Sequence, residues 1–492
     1  MSVRSSPLFT SADASAAARR AARKEARRLI RQKRDDDRAR RREEQTAERD
    51  TPRDVTHPRA GAHGPAAGRS WLPLRLQAHY ATSAGLRVLY PFLADDGLGA
   101  IGMYIGRDLL AGASFCFDPW ELYRARIVTN PNVLLAGVIG NGKSSLAKSI
   151  AWRSLAFGRK TYVPGDIKGE WSVVVEAAGG KVIRLGPGLP TRLNPLDEGT
   201  RPTGLSDTQW FTLVKARRRQ LLRAIAETVL GGPLAPTEQT ALTTALAVAE
   251  GAGGTPTLPT VVQHLLAPSP LATDLSSDDV AVLRDDGRRV GHALARMVHG
   301  DLAGMFDGES TTRFDPGLPM VSLDLSAFNE NDEALPIIMT CASSWLEGAL
   351  QDAQSGLRWI IYDEAWRLMS VTALLRRMQA QWKLSRAWGI ANLAVIHRLS
   401  DLDAIGDAGS ESRELAAGLL ADCSTRIAYR QESDQLGQSA ALLGLNPTQR
   451  DIIGELGVGE GLWRIGQRAY VVSHALSQTE RKLFDTDERM TG

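Results

Sequence analysis

Residues 132–158 read NVLLAGVIGNGKSSLAKSIAWRSLAFG, an apolar run, a glycine-rich turn, and a lysine and two serines that open a second run. Within it, Gly137-Val138-Ile139-Gly140-Asn141-Gly142-Lys143-Ser144 fits G-x-x-x-x-G-K-[ST] in full, with Ser145 following. The pattern dictates a buried strand before the loop and a helix after it. Backbone N–H groups can then wrap phosphates at the positive end of the helix. In such a loop Lys143 reaches the β- and γ-phosphates of a nucleoside triphosphate, and the Ser144 hydroxyl ligates Mg²⁺. KTYVPGD (160–166) reads as the next strand. Strand, loop, helix and strand at this spacing form a βαβ unit, which places the chain among α/β folds.

A loop of this kind needs an acid at the end of another strand. RWIIYDEAWRLM (358–369) supplies one, because four apolar residues run into Asp363 and Glu364. Asp363 is the expected metal-side acid, and Glu364 the expected general base that polarises an attacking water. The adjacent pair points to hydrolysis. No N-K-x-D guanine-reading motif occurs in the chain, so ATP is the expected nucleotide.

The 492 residues suffice for two or three domains. A composition of 43 % hydrophobic and 23 % charged residues is that of a globular protein. The net charge of +3 is unevenly spread: residues 1–70 carry 18 Lys/Arg against 10 Asp/Glu, which leaves the remainder at −5. The stretch 14–50 is rich in helix formers but nearly devoid of apolar residues beyond Leu29 and Ile30, so it reads as a solvated, partly helical tail. Its sharper reading is a contact with anionic lipid or DNA. The N-terminus lacks the apolar core of a signal peptide. Three scattered cysteines, Cys116, Cys341 and Cys423, suggest neither a metal site nor a disulfide framework and agree with a reducing cytoplasm.

Five segments are expected: a basic tail and linker (1–70), a small β-rich module (71–130), the first part of an ATPase core (131–204), an all-helical insertion (205–315) and the second part of the core (316–492). Helical periodicity with little strand signal marks the insertion. Strands resume at MVSLDLSAF (320–328), RWIIYDEA (358–365), ANLAVIH (391–397) and TRIAYRQ (425–431).

Further motifs narrow the class. GDIKGEW (165–171) follows the second strand, LNPLD (193–197) precedes the insertion, and DEAWRLM (363–369) stands 220 residues beyond Lys143, followed by LSRAWGIANLAVIHRLSDL (384–402). In this order the motifs resemble the P-loop half of the conjugative type IV secretion ATPases of the VirB/TraC type, within the HerA–FtsK superfamily. The resemblance spans about residues 97–485. It implies a RecA-like core, ATP with Mg²⁺, assembly as a homohexameric ring, and a peripheral place at the cytoplasmic face of a membrane channel. It implies that Asp166 and Glu170 face the nucleotide, and that His397 occupies the sensor-strand position where the family usually has glutamine. Larger members carry a substantial N-terminal domain before the P-loop, which here is expected to be short.

Ring motors complete each site with an arginine from the neighbouring subunit. Arg386, Arg398, Arg426 and Arg430 are candidates, with Arg426 and Arg386 preferred. Three functions follow as alternatives: an ATPase that energises type IV secretion or conjugation, a HerA–FtsK-like or coupling-protein-like DNA translocase, and a nucleotide-gated assembly scaffold with little turnover. Intact Lys143, Asp363 and Glu364 argue against the scaffold.

Overall fold

The computed structural model describes residues 98–199, 201, 204–269, 276–300, 302–312, 314–328, 335–341, 356–365, 372–396, 410–432 and 436–484, with isolated positions between 24 and 36. The chain divides into two units, Met1–Thr56 and His57–Gly492. In the first, the described positions, such as Lys24, Arg28 and Arg31, are helical and exposed. The basic tail otherwise lies outside the described residues.

The second unit is built on one sheet. Its strands are β1 (Met103–Asp108), β2 (Ser114–Phe117), β3 (Val133–Ala136), β4 (Lys160–Asp166), β5 (Lys181–Arg184), β6 (Met320–Asp324), β7 (Arg358–Tyr362), β8 (Ile390–Ile396), β9 (Thr425–Tyr429), β10 (Glu460–Ile465) and β11 (Arg468–His474). Their order is β2-β1-β11-β10-β9-β3-β8-β7-β4-β6-β5. From β9 to β5 every pairing is parallel, and from β10 to β2 every pairing is antiparallel. β1 and β2, within the span expected to form a small β-rich module, continue the common sheet beyond β11, with β2 at its edge.

The central strands VLLA and IANLAVI are buried at every position, as parallel strands covered on both faces must be. Side chains alternate between two cores. Val133 and Leu135 pack with Leu146 and Ile150 of the helix Lys143–Ser154. Leu134 and Ala136 point to the other face, whose core includes Leu221, Ile225, Leu246, Val261 and Leu294. These last residues come from four helices inserted between β5 and β6: Asp207–Leu230, Pro236–Gly251, Leu258–Leu266 and Ser277–His299. A capping box fixes the first of them, with the Ser206 hydroxyl accepting from the Gln209 amide and the Gln209 side chain accepting from the Ser206 amide. No helix among the described residues is long and apolar enough to cross a membrane.

The far end of the helix after the P-loop is tied down by a buried ion pair. Arg153 Nε donates to Glu480 Oε1 at 2.6 Å and Nη2 to Oε2 at 2.6 Å, while other guanidinium N–H groups reach the carbonyls of Tyr104, Ile105 and Ala475. Beside this pair, His474 Nε2 sits 3.0 Å from Ser149 Oγ. Burial, helped by the Arg153 charge, pushes the His474 imidazole down to about 3. The folded state therefore binds fewer protons here than the unfolded chain between pH 3 and the ordinary histidine value near 6.5. Stability from this group is complete above that value and is lost as the pH falls through the window. Thermal unfolding temperatures should fall with acidification from pH 7 to pH 5, and His474→Gln should flatten that slope. An unchanged slope would show that the histidine is not held neutral.

Candidate functional site

The parallel register brings the sequence-predicted residues to one edge of the sheet. Ala136, the last residue of β3, pairs with Ile396 of β8, and Tyr362, the last residue of β7, pairs with Ala394 of the same strand. Gly137 and Asp363 therefore leave the sheet on the same side, separated only by β8. β4 ends there at Asp166, which pairs with Asp324 at the end of β6. The carboxyl edge of parallel strands is where open α/β sheets bind ligands.

The loop itself is fixed on both flanks. Val138 N donates to the Arg430 carbonyl at 3.1 Å, and Gly459 N to the Asn141 carbonyl at 3.1 Å. A Cβ on Gly137 would stand 2.5 Å from Tyr429 Cβ, so no larger residue fits between β3 and β9. Gly142, at φ 90°, takes the left-handed backbone that opens the helix without a side-chain cap. The first amides of that helix are thus left for a ligand. Lys143 is buried and its Nζ donates to the Val138 carbonyl at 2.8 Å, folded back across its own loop. Ile139 and Gly140 complete the turn, with Ile139 69 % exposed at its tip, and Ser144 and Ser145 follow Lys143 in the first turn of the helix.

Across β8, the two acids take different surroundings. Asp363 Oδ2 accepts from the Trp171 indole N–H at 3.0 Å. Burial holds its carboxyl above the usual range, with Glu364 and Glu170 adding to the effect and Trp171 opposing it. Glu364 is buried and carries φ 58°, a left-handed backbone for a branched-chain-free but non-glycine residue. That conformation costs roughly 1–2 kcal/mol and turns the chain sharply at the strand end. The Glu364 carboxylate pairs with Lys168. Burial alone would lower the Lys168 ammonium, but the pairing with Glu364 outweighs it and holds the group above its ordinary value.

The turn after β4 organises both acids. Asp166 accepts from the amides of Glu170 at 3.1 Å and Trp171 at 2.8 Å, which shapes the turn. Its carboxyl is pushed up to about 7, chiefly by burial, with the Asp324 and Asp363 charges adding. Glu170 pairs with the buried Lys148 of the helix after the P-loop at 3.4 Å. In this conformation Asp166 therefore faces backbone, and the residues of the turn that touch Asp363 and Glu364 are Trp171 and Lys168. Sequence reasoning missed both. The available signal was their place in Asp-Ile-Lys-Gly-Glu-Trp itself, where a lysine and an indole N–H stand close to two acids. Trp171→Phe, which keeps the ring and deletes the donor, should raise the Mg²⁺ concentration needed for half-maximal turnover several-fold at unchanged fold. An unaltered Mg²⁺ dependence would make the indole contact a packing feature only.

The arginines are dispersed. Arg426, early in β9, pairs with Leu134 in β3, at the sheet edge opposite the loop. Its guanidinium donates to the carbonyls of Cys423, Leu443 and Ala421. Arg386 is exposed in the last turn of the helix Thr372–Trp388, also at the edge where the parallel strands begin. Arg430 follows β9 at the loop edge and lines a cavity beside Val138 and Asn141. His397 and Arg398 lie outside the described residues.

No family model and no curated protein matches the chain. Among solved structures, VirB4 of Thermoanaerobacter pseudethanolicus superposes with a TM-score of 0.64 at 20 % identity, over 79 % of this chain and 99 % of that one. The bacterial conjugative coupling protein TrwB matches with a TM-score of 0.48 at 14 % identity, over 70 % of this chain and 85 % of that one. Its complex with ADP and Mg²⁺ gives 0.47 at 16 %, over 70 % and 86 %. The fold is thus the RecA-like α/β fold of VirB4, the one that the order of sequence motifs implies.

Proposed function

We propose that this chain is an ATPase that energises a type IV secretion or conjugation apparatus. The observation that carries the reading is the convergence of Gly137–Ser144 and Asp363–Glu364 at one sheet edge, on a fold shared with VirB4 over almost all of that protein's chain. Loop amides and the helix N-terminus bind the phosphates. Lys143, released from the Val138 carbonyl, neutralises their charge. Glu364 orients water and takes its proton as the terminal phosphoryl group is transferred.

The donor set fits Mg²⁺. No cluster of three or more His, Cys, Asp or Glu suited to a metal occurs among the described residues. Mg²⁺ asks for little protein ligation, since it is held by one or two side-chain oxygens, substrate phosphates and water. Ser144 and Asp363 would supply those oxygens, and the ion would neutralise charge on the phosphates. Asp166 and Glu170 act on this site through the turn they shape. A neighbouring copy in a homohexameric ring supplies the arginine, and the exposed Arg386 is better placed for that than Arg426, whose guanidinium is already engaged. The protein works at the cytoplasmic face of the membrane with the channel's subunits, and its basic tail contacts anionic lipid or DNA.

Lys143→Ala should weaken ATP binding at least tenfold by isothermal titration and stop secretion or plasmid transfer in complementation. Undiminished ATP affinity would sink the assignment. Strong stimulation of turnover by DNA would favour the translocase alternative.

A further inference from the structure

A general base must stand within hydrogen-bond reach of the proton it takes, and the rotatable bonds of a glutamate side chain give it many ways to miss. Glu364 is buried, and its carboxylate is gripped by the Lys168 ammonium. Lys168 itself is half exposed, with 49 % of its side chain open to solvent. An ion pair with one member in water adds little to stability. Its effect on geometry is larger, because the ammonium that grips Glu364 is carried by a braced turn.

Asp166 accepts from the amides of Glu170 and Trp171, which closes the turn around Lys168. Gly169, the next residue, takes φ 69°, and a Cβ there would stand 3.3 Å from Ser326 Cβ, so the backbone beside Lys168 bends sharply against the chain that follows β6. Glu170 pairs with the buried Lys148 in the helix that begins at Lys143, and the Trp171 indole donates to Asp363. Three side chains of one turn thus reach the helix after the P-loop, the metal-side acid and the base. The turn places Lys168 relative to the loop that binds phosphates, and Lys168 in turn places Glu364.

We propose that Lys168 is a positioning residue for hydrolysis: it aims the Glu364 carboxylate at the attacking water and touches neither nucleotide nor metal. The inference rests on the reading of Glu364 as the general base, and its test keeps the two apart. Lys168→Met retains the reach of the side chain and deletes its charge, whereas Lys168→Arg retains the charge. ATP turnover is measured on the full-length chain as wild type, as each of these variants, as Glu364→Gln, and as Lys168→Met combined with Glu364→Gln. For Lys168→Met the expected kcat is roughly 10–100-fold below wild type, the scale of loss when a reacting group is misplaced, with KM for ATP within about twofold. Thermal unfolding should not change, and Lys168→Arg should recover part of the rate. In the Glu364→Gln background Lys168→Met should cost nothing further, because no base remains to be aimed. A wild-type kcat in Lys168→Met overturns the proposal. A raised KM at unchanged kcat also overturns it, by making Lys168 a nucleotide contact, and so does a full additional loss in the double variant, by placing its action elsewhere than on Glu364. Turnover that survives Glu364→Gln intact would instead remove the general-base reading itself, whatever Lys168→Met does, and the positioning role with it.

Discussion

Glu364→Gln is expected to lower ATP turnover by about 10²–10⁴-fold while ATP affinity stays within a few-fold of wild type. An amide matches the carboxylate in size and can still hold a water, but it cannot take a proton from it. The side chain is buried, so no solvent group is poised to substitute. Its left-handed backbone comes from the turn at the end of β7, and the substitution leaves that turn unchanged. Lys168 loses its charge partner but is half exposed and regains water, so the fold should survive. Single-turnover hydrolysis and equilibrium titration with ATP together check this. Persisting turnover would move the base elsewhere, and parallel loss of affinity would give Glu364 a binding role instead. Complementation by the variant at wild-type level would restore the scaffold alternative.

The ease of reading this site from sequence follows from how local its parts are. The P-loop announces itself because glycines, lysine and serine must be contiguous for the amides to wrap phosphates. β7 was legible because burial on both faces requires an apolar run, and here that run leads directly into two acids. β4 matches its expected span residue for residue, Lys160–Asp166. Other features depend on distant partners. β10 and β11 pair antiparallel beside β9, and Gly459, just before β10, braces Asn141, yet EGLWRI and RAYVVSH carry no mark of that neighbour. β5, KVIR, is an edge strand of only four residues and too short to show a period. The roles of Lys168 and Trp171 appear only when the turn after β4 meets the end of β7, about 190 residues downstream. Arg426 illustrates the converse. Its position at a strand start suggested a long-range role, whereas its side chain is taken up by three nearby carbonyls.

Arg153→Met should destabilise the folded chain by about 3–5 kcal/mol, because it strands a buried carboxylate. Arg153 and Glu480 are only 4 % and 2 % exposed, and the pair is bidentate. With the arginine gone, Glu480 keeps the Ser477 amide, donating at 2.8 Å, and the Ser477 hydroxyl, while the Tyr104, Ile105 and Ala475 carbonyls lose a donor. Pairing with Arg153 holds the Glu480 carboxyl below its ordinary value despite its burial. In the variant only the Ser477 hydrogen bonds still oppose that burial, so the acid should take up a proton at higher pH. The loss should therefore be largest at neutral pH, where the stranded group must ionise or bind a proton from dilute solution. Arg153→Met combined with Glu480→Leu removes both charges and should recover much of the loss, since an apolar pair of similar volume often replaces a buried ion pair at little cost. Thermal unfolding of the two variants tests this, and equal destabilisation in both would assign the effect to lost packing. The pair lies at the far end of the helix that begins at Lys143, so ATP affinity at a permissive temperature should not change. That separation distinguishes a residue that holds the helix in place from one that holds the nucleotide.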